Sequence, residues 1–212
     1  MLRHIVPAVI SVLIITALCC FAFPFVITTI AQAAFHEQAN GSLIIEEGRV
    51  IGSELIGQDF TTPGYFHPRP SAAGAGYDAA NSGGTNLAPT SDKLINGMHR
   101  KLPNGDDDPA DFDGITDLVK AYREENYLPP DALVPVDAVT RSASGLDPHI
   151  SPANARIQAV RVARVRGVPE DDMLLLVAKH TEGRLLGLLG EPHINVLLLN
   201  LELDKVYGAP RQ

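Results

Sequence analysis

The chain has 212 residues, 45% of them apolar, and a formal net charge of -8 with histidine neutral. This length supports one well-packed soluble domain but hardly two. The acidic balance and the pI near 5.3 argue against a nucleic-acid partner, because contact with a phosphate backbone requires clustered Lys and Arg side chains. Cys19 and Cys20 are the only cysteines, and adjacent cysteines offer no loop-closing disulfide.

An apolar stretch near the N-terminus predicts a membrane-spanning helix over residues 8–30, inside an anchor formed by residues 1–34. Residues 5–34 carry no charge, and a helix over 8–30 extends roughly 34 Å, enough to cross a hydrocarbon core of about 30 Å. The sequence AQA at residues 31–33 resembles a cleavage site, but a signal peptide has an apolar region of only about 7 to 15 residues. An uncleaved anchor is therefore expected, with a released, secreted binding protein as an alternative.

The charges that flank the span predict its orientation. Arg3 and the free amino group precede the span, whereas the first charged residue after it is the acidic Glu37. Because positively charged flanks remain in the cytoplasm, the N-terminus is predicted to be cytoplasmic. The soluble domain, residues 35–212, is then extracytoplasmic, in the periplasm of a Gram-negative cell.

The soluble part is predicted to begin with a small sheet and a long loop. Residues 42–57 contain two short β segments that turn near Gly48. Residues 65–91 are dense in Gly, Pro, Ser and Asn and have no sustained period, which predicts a long loop. Within it, the sequence NSGGTN lacks the Lys-Ser or Lys-Thr ending of a phosphate-binding loop and is interpreted as a turn.

Two helices and an acidic turn are predicted next. Thr90 or Ser91 can cap a helix that runs through Leu94 and Met98. The sequence NGDDDPAD, residues 104–111, is typical of a solvated turn. A second helix, capped by Asp113, has apolar residues at the i, i+3, i+4 and i+7 positions of one buried face: Ile115, Leu118, Val119 and Tyr122.

The region that follows predicts a β segment and a well-bounded helix. Residues 133–142, LVPVDAVTRS, have the composition of a strand. Ser151 is suited to the N-cap and Gly167 to the C-terminal stop of a helix over residues 152–166. Its arginines are interpreted as a solvated face: Arg156, Arg161, Arg164 and Arg166.

Another helix and a final strand complete the predicted fold. Acidic residues after Pro169 and the basic pair Lys179 and His180 are typical of the first and last turns of a helix. Residues 194–205, INVLLLNLELDK, alternate leucine with polar residues and predict a half-buried strand. Strands at both ends with helices between them predict a single small α+β domain after one transmembrane helix.

Three residues close together in the sequence raise the question of catalysis. Asp147, His149 and Ser151 are the residue types of a hydrolase triad, but such triads usually draw on distant parts of the chain. Asp147 precedes a proline, and Ser151 is suited to capping a helix. An architectural corner is therefore preferred, and a membrane-anchored periplasmic hydrolase that uses the three residues is kept as the alternative function.

Neither a metal centre nor an ATP-driven reaction is predicted for this chain alone. The seven histidines include no pair at the i, i+2 or i, i+4 spacing of a zinc site. The phosphorylated sequence Asp-Lys-Thr-Gly-Thr of ion-pumping ATPases does not occur. No catalytic residue, metal ligand or firmly bound cofactor is therefore expected.

Three stretches of the chain resemble a known family. They are residues 65–91 (YFHPRPSAAGAGYDAANSGGTNLAPTS), 145–167 (GLDPHISPANARIQAVRVARVRG) and 187–205 (GLLGEPHINVLLLNLELDK). Together with the single N-terminal span, and in this order, they are similar to the C subunit of the bacterial Kdp potassium-transporting ATPase. The resemblance covers essentially the whole chain.

The resemblance implies a non-catalytic, single-pass subunit of the bacterial inner membrane. Its complex imports potassium with high affinity, and the partners implied are a channel-like subunit that translocates potassium and a P-type subunit that hydrolyses ATP. The family subunit is regarded as needed for assembly and as a catalytic chaperone that raises the ATP affinity of the hydrolysing subunit. ATP then acts through that partner, and potassium is the substrate of the complex.

The resemblance also singles out residues. A nucleotide-related segment is implied at Leu188, Leu189, Gly190, Glu191 and Pro192. A second set is expected to have a structural role or to contact partner subunits: Arg69, Pro70, Ser71, Gly83, Gly84, Asn86, Asp147, Pro148, His149, Ser151, Pro152 and Asn154.

Overall fold

The computed structural model describes residues 2–101 and 111–210. Internal contacts divide the chain into two compact units, Met1–Ser53 and Glu54–Gln212. Apart from Asp111, the predicted acidic turn at residues 104–111 lies outside the described residues. The predicted class, one N-terminal apolar helix followed by a small α+β domain, is confirmed.

The first unit begins with one long apolar helical run. Helix α1 (Leu2–Thr16) continues through a π-helical turn (Ala17–Ala22) into α2 (Phe23–Ala34). The run is long and apolar enough, by length and composition, to cross a membrane. The wider turn directly precedes Pro24, whose ring would clash with the carbonyl four residues earlier in a regular helix.

A short helix and a hairpin complete the first unit. Helix α3 (His36–Ala39) is followed by the antiparallel strands β1 (Leu43–Glu46) and β2 (Arg49–Ser53). The chain reverses at Glu47 and Gly48, whose φ angles are both positive (49° and 76°), as the hairpin turn that matches strand twist requires. The predicted pair of β segments turning near Gly48 is confirmed.

Among the described residues of the second unit, the first helices along the chain are α4 (Asp92–Asn96), α5 (Ile115–Glu125) and α6 (Val136–Val139). The predicted apolar face of α5 packs against α6 in a small core around Tyr122. The N-cap of α5 is Gly114 rather than the predicted Asp113, and its N–H donates to the Asp117 carboxylate at 2.8 Å. Helix α4 is shorter than predicted, because Met98 instead pairs with Phe112 in a β bridge.

The β segment predicted at residues 133–142 is wrong, because α6 occupies its centre. Pro135 stands at the N-cap of α6. The Asp137 carboxylate in the first turn accepts two hydrogen bonds from Ser151 and one from Asn154. These long-range bonds fix a helical turn that the apolar, β-branched sequence does not signal.

The main core is built by α7 (Pro152–Arg166), α8 (Glu170–Lys179) and α9 (Val196–Tyr207), with the short antiparallel pair β3 (His149–Ile150) and β4 (Ile194–Asn195). The predicted caps of α7 are confirmed: the Ser151 hydroxyl accepts from the Asn154 N–H at 3.1 Å, and Gly167 is left-handed with φ 68°. The buried apolar residues of this core are Phe66, Ile150, Ala155, Ala159, Val162, Ala163, Met173, Leu176, Val177, Ile194, Val196, Leu199 and Leu203.

The strand predicted at residues 194–205 is also wrong, since only its first two residues are extended and α9 follows. The Asn195 side chain caps α9 by accepting from the Leu198 N–H at 3.2 Å. Val196, Leu199 and Leu203 are buried at the i, i+3 and i+7 positions of a helix. The leucines fit an alternating pattern as well as a helical one, and in the structure the helical face is the one that is buried.

The arginines of α7 do not form one solvated face, as the sequence suggested. Arg156 and Arg164 are exposed, but the Arg161 residue is only 1% exposed and the Arg166 side chain only 3%. Both buried side chains point at residues 63–67, a turn followed by irregular backbone, which we call the clamped segment. The prediction failed because the partners that neutralise and bind these guanidinium groups lie about 100 residues away in the sequence.

Side chains satisfy the backbone of the clamped segment, which has no neighbouring strand among the described residues. Its five carbonyls all accept from side chains: Arg161 donates to Pro63 and, at 3.0 Å, to Tyr65; Arg166 donates to Gly64 at 2.7 Å, Asn200 to Phe66 at 2.9 Å and Gln158 to His67 at 3.0 Å. The carboxamide oxygens of Asn200 and Gln158 accept the N–H groups of Phe66 and His67 in return. Each side-chain carboxamide therefore makes the two hydrogen bonds that a residue of a neighbouring strand would make.

Replacement of Arg161 tests the clamp. Arg161→Ala should lower the free energy of unfolding by about 3 kcal/mol, because two partly buried carbonyls and the buried Asn126 side-chain oxygen lose their donor. Arg156→Ala, on the exposed side of the same helix, should change it by no more than about 0.5 kcal/mol. Denaturant unfolding of the full chain in mild detergent measures both, and equal effects would contradict the assignment.

Candidate functional site

The residues singled out by the sequence converge at a corner, residues 145–155, which leads through β3 into α7. Asp147 lies at its centre and accepts from the Arg69 guanidinium at 2.7 Å and from the His149 N–H at 3.0 Å. Arg69 also donates to the Thr140 carbonyl at 3.3 Å. The Pro148 carbonyl accepts from the Val196 N–H at 2.9 Å, which fixes the corner to the start of α9.

The long loop, residues 65–91, is an ordered partner of the corner. The Ser71 hydroxyl donates to the Gly145 carbonyl at 2.7 Å and accepts from the N–H groups of residues 73 and 77. Gly83 donates to the Ser144 carbonyl at 2.9 Å, and Gly84 lies beside Ala143. The two motif-rich stretches are therefore one structural unit, although about 60 residues separate them in the sequence.

Gly145 shows why the corner needs a glycine. Its φ of 68° lies in the left-handed region, as the sequence predicted. A Cβ at this position would also lie 2.7 Å from the Ala73 nitrogen and from the Gly83 oxygen. Both the conformation and the close approach of the long loop therefore exclude a side chain.

The remaining motif residues have separate positions. Pro70 lines a cavity beside the corner, and Pro152 occupies the first turn of α7. Asn86 is exposed and adopts a left-handed conformation with φ 51°. Asn154 is fully buried, where its side-chain oxygen accepts from Tyr122 and Gln158, both at 2.8 Å.

The three candidate triad residues have structural partners. The Ser151 hydroxyl donates to Asp137 at 2.8 Å and accepts the Asn154 N–H, so its hydrogen-bonding groups serve the start of α7. The His149 ring lies 3.4 Å from Asp147 and packs edge-on against the His193 ring at 4.4 Å. A hydrolase requires the serine hydroxyl to donate to the imidazole, and here it donates to a carboxylate. The geometry therefore favours the architectural interpretation of the corner.

Asp137 is the residue that sequence reasoning missed at this site. Its carboxylate joins α6 to the first turn of α7 through the Ser151 N–H, the Ser151 hydroxyl and the Asn154 amide. The available signal was an acidic residue directly after Pro135 and Val136, which is a common first turn of a helix. The surrounding β-branched residues concealed it.

The electrostatics of the corner keep Asp147 ionised. Partial burial raises the pKa of its carboxyl group, but hydrogen bonds from His149 and the adjacent Arg69 guanidinium outweigh burial and lower the pKa to about 2. Burial and the nearby Asp147 charge raise the pKa of Tyr77, which stays protonated and donates to the Arg69 carbonyl at 2.7 Å. The corner thus contains an ion pair between Arg69 and Asp147, and Asp147 and Tyr77 do not change protonation near neutral pH.

A cavity of about 360 Å³ opens beside the corner, with Arg69, Ser71, His67 and Glu125 among its lining residues. Most of its charged groups have partners, since His67 Nδ1 lies 2.7 Å from Glu125 Oε1 and Arg69 pairs with Asp147. Burial raises the pKa of Glu125, but the His67 hydrogen bond and the charge of Arg161 lower it further than burial raises it. The cavity therefore combines both signs of charge in an internally paired arrangement.

A second cluster of titratable groups surrounds His99. Its ring nitrogens lie 3.1 Å from Asp111 and 3.0 Å from Asp117, and Asp113 offers an oxygen within 4.8 Å of the other candidate ligand atoms. The hydrogen bond with Asp117 is the main cause of a raised His99 pKa. Both ring nitrogens of His99 are therefore within hydrogen-bonding distance of a carboxylate. Sequence spacing missed the cluster because its members lie 12 to 18 residues from His99.

The segment implied to be nucleotide-related, residues 188–192, lies in an exposed loop between α8 and β4. Leu188 and Leu189 are 80% and 62% exposed. Glu191 pairs with Arg184 at 2.8 Å across the base of the loop. None of the five residues lines the 360 Å³ cavity, so the structure does not bring this segment together with that cavity.

Comparison with known proteins gives full-length matches. The family model "KdpC: K+-transporting ATPase, c chain" matches residues 5–205. The chain is 47% identical over 210 residues to the potassium-transporting ATPase KdpC subunit of Koribacter versatilis, covering 99% of this chain and 98% of that protein. It is 50% identical to the proteins of the same name from Sorangium cellulosum (96% of this chain, 98% of that one) and Caulobacter vibrioides (98% and 95%).

The Asp147 ion pair predicts a pH-dependent stability. The pKa is lower in the folded state than in the unfolded chain, so the contribution is present above about pH 4 and is lost as the pH falls towards 2. Asp147→Asn should therefore lower the free energy of unfolding by about 2 kcal/mol at pH 7, and the deficit should shrink at low pH. Asp131→Asn, at an exposed position, is the control. Thermal unfolding of the full chain between pH 7 and pH 2 measures the difference, and a deficit independent of pH would refute this account.

Proposed function

The chain belongs to the KdpC family of K+-transporting ATPase c chains, and from that premise we propose that it is a non-catalytic accessory subunit of a high-affinity potassium import complex. A separate P-type subunit binds and hydrolyses ATP, a channel-like subunit carries potassium, and this chain supports their assembly. No cofactor is held by the chain itself in this proposal.

One observation carries the proposal: the polar side chains in the family motifs bond to one another or to neighbouring groups of the same domain. Arg69 pairs with Asp147, Ser71 bonds the Gly145 carbonyl, and Ser151 bonds Asp137. A catalytic site needs a nucleophile and a base aimed at a position that a substrate can reach. A corner whose polar groups satisfy each other instead gives a rigid shape, which is suited to docking on another protein.

The membrane arrangement follows from the flanking charges. Arg3 precedes the apolar run and Glu37 follows it, which favours a cytoplasmic N-terminus, a single pass through the inner membrane and a periplasmic soluble domain, residues 35–212. The net charge of -8 modestly raises the cation concentration near the domain, but screening over about 8 to 10 Å keeps this effect small. The domain therefore acts by docking on the transport subunits and not by coordinating potassium.

This arrangement constrains the role of ATP. A catalytic chaperone that raises the ATP affinity of the hydrolysing subunit does so, in this proposal, through the span or through the channel-like subunit. Direct nucleotide contact by residues 188–192 would require the opposite orientation, because ATP is cytoplasmic.

Reporter fusions test the orientation. A reporter that is active only in the periplasm should be active when fused after Gln212 and silent when fused after His4, which precedes the apolar run. A cytoplasmic fluorescent reporter should give the reverse pattern at the two positions. A silent periplasmic fusion after Gln212, paired with a bright cytoplasmic one, would overturn the topology and restore direct ATP contact.

Copurification tests the assembly role. A tagged full chain extracted in mild detergent from potassium-starved cells should recover the channel-like and ATP-hydrolysing subunits. A tagged, unrelated single-pass protein is the control for proteins trapped in the same detergent micelle. Recovery of no pump subunit above that control would show that the proposed function is wrong.

A further inference from the structure

The loop at residues 184–191, which we call the leucine loop, exposes a compact apolar surface. Leu185, Leu186, Leu188 and Leu189 are 67%, 86%, 80% and 62% exposed. A single exposed leucine is ordinary on a protein surface, but four within five residues form a contiguous apolar patch. Such a patch marks a surface that another molecule covers.

The leucine loop has a defined shape. Leu185 and Leu189 exchange two backbone hydrogen bonds of 2.8 and 3.0 Å, and the Gly187 N–H donates to the Arg184 carbonyl at 3.0 Å. The base is closed by a second pair of backbone bonds, 2.9 and 3.1 Å, between residues 182 and 193. Leu186 has a φ of 53°, a conformation that costs free energy for a residue with a Cβ. The backbone bonds therefore hold the leucine loop in a defined conformation, although the left-handed φ of Leu186 costs free energy.

Charges around the leucine loop distinguish the possible occupants. Arg184 pairs with Glu191, and His193 lies 3.7 Å from Glu182. The Glu182, Glu191 and Arg184 side chains are 66%, 80% and 45% exposed, so a rim with charges of both signs faces solvent around the apolar tip. Arg184 is the one basic residue of the leucine loop, whereas binding to an anionic lipid surface requires a cluster of Lys and Arg. An apolar centre inside a polar rim is the arrangement of protein–protein interfaces, and a fixed shape benefits a protein pocket but not a fluid bilayer.

The leucine loop is continuous with the corner. His193, at its base, packs edge-on against His149, whose ring centroid lies 4.4 Å away. His149 in turn bonds Asp147, which pairs with Arg69 of the long loop. A chain of contacts therefore connects the base of the leucine loop with the family motifs at the corner.

We propose that the leucine loop and the adjacent His149–His193 pair form the docking surface for a protein subunit of the transport complex, which offers an uncharged apolar pocket. This inference rests on the proposed function and gives residues 188–192 a role in protein contact. The leucines fill the pocket, and the charged rim surrounds it.

A double substitution tests the apolar contact. Leu186→Ser with Leu188→Ser, in the tagged full chain expressed with the other subunits, should reduce their recovery at least tenfold. Leu133→Ser with Leu175→Ser is the matched control, because these leucines are 92% and 68% exposed outside the leucine loop. Both variants should unfold at the wild-type temperature, since all four side chains are exposed, and the control should recover the subunits normally.

A glycine pair tests the shape while keeping every leucine. Gly187 has a φ of 75°, which a β-branched residue disfavours, whereas Gly183 is not in the left-handed region. At both positions the space that a Cβ would occupy is open, with no neighbouring atom within 4 Å. Gly187→Val should lower subunit recovery several-fold, and Gly183→Val should not. Equal recovery by both variants would show that a fixed shape is not required and would refute the inference.

The outcomes separate the two proposals. If the wild-type chain recovers no subunit, the proposed function is wrong and this inference falls with it. If wild type and the double-serine variant recover the subunits equally, only the inference is wrong.

Discussion

The second unit depends on how the clamped segment, residues 63–67, is satisfied. A backbone segment without a neighbouring strand that packs against helices must find donors for its carbonyls, because each buried group left unpaired costs free energy. No strand lies beside this segment in the part of the chain that the structure describes, so Arg161, Arg166, Gln158 and Asn200 replace one. Because these donors come from α7 and α9, the same bonds that bury the segment also hold the two helices together.

The clamp determines where the long loop begins, and therefore where the corner forms. Arg69 lies two residues beyond the clamped segment, which brings its guanidinium within 2.7 Å of Asp147. Ser71 follows and bonds the Gly145 carbonyl. Loops are usually the mobile parts of a domain. Here a loop rich in glycine and proline becomes a fixed surface because its first residues are part of the core.

Local chemistry made some of this structure predictable. The hairpin turn at Gly48 and the caps of α7 at Ser151 and Gly167 depend on one or two neighbouring residues, and each was predicted correctly. The candidate corner was predicted for the same reason, since its turn residues and its cap are adjacent in the sequence.

The failures involve partners far away in the sequence. The alternating pattern predicted that Asn200 faces solvent on a strand. In the structure Asn200 is buried and bonds Phe66, which lies 134 residues earlier. Arg161 was predicted to be solvated, because the carbonyls that it binds lie about 96 to 98 residues away and cannot be identified from the sequence. A polar residue on a mixed face carries no sign of a buried partner, so periodicity assigns it to solvent. The four polar donors of the clamp could therefore be found only in the structure.

The corner and the leucine loop differ in which of their groups face solvent. At the corner, the carboxylates of Asp137 and Asp147 are bonded to neighbouring groups, so polar chemistry there is directed inward. In the leucine loop, the backbone is bonded and the apolar side chains face outward. A rigid polar base beneath an ordered apolar tip lowers the conformational entropy that docking would otherwise cost. The corner and the leucine loop are thus complementary, since the first fixes the position from which the second is presented.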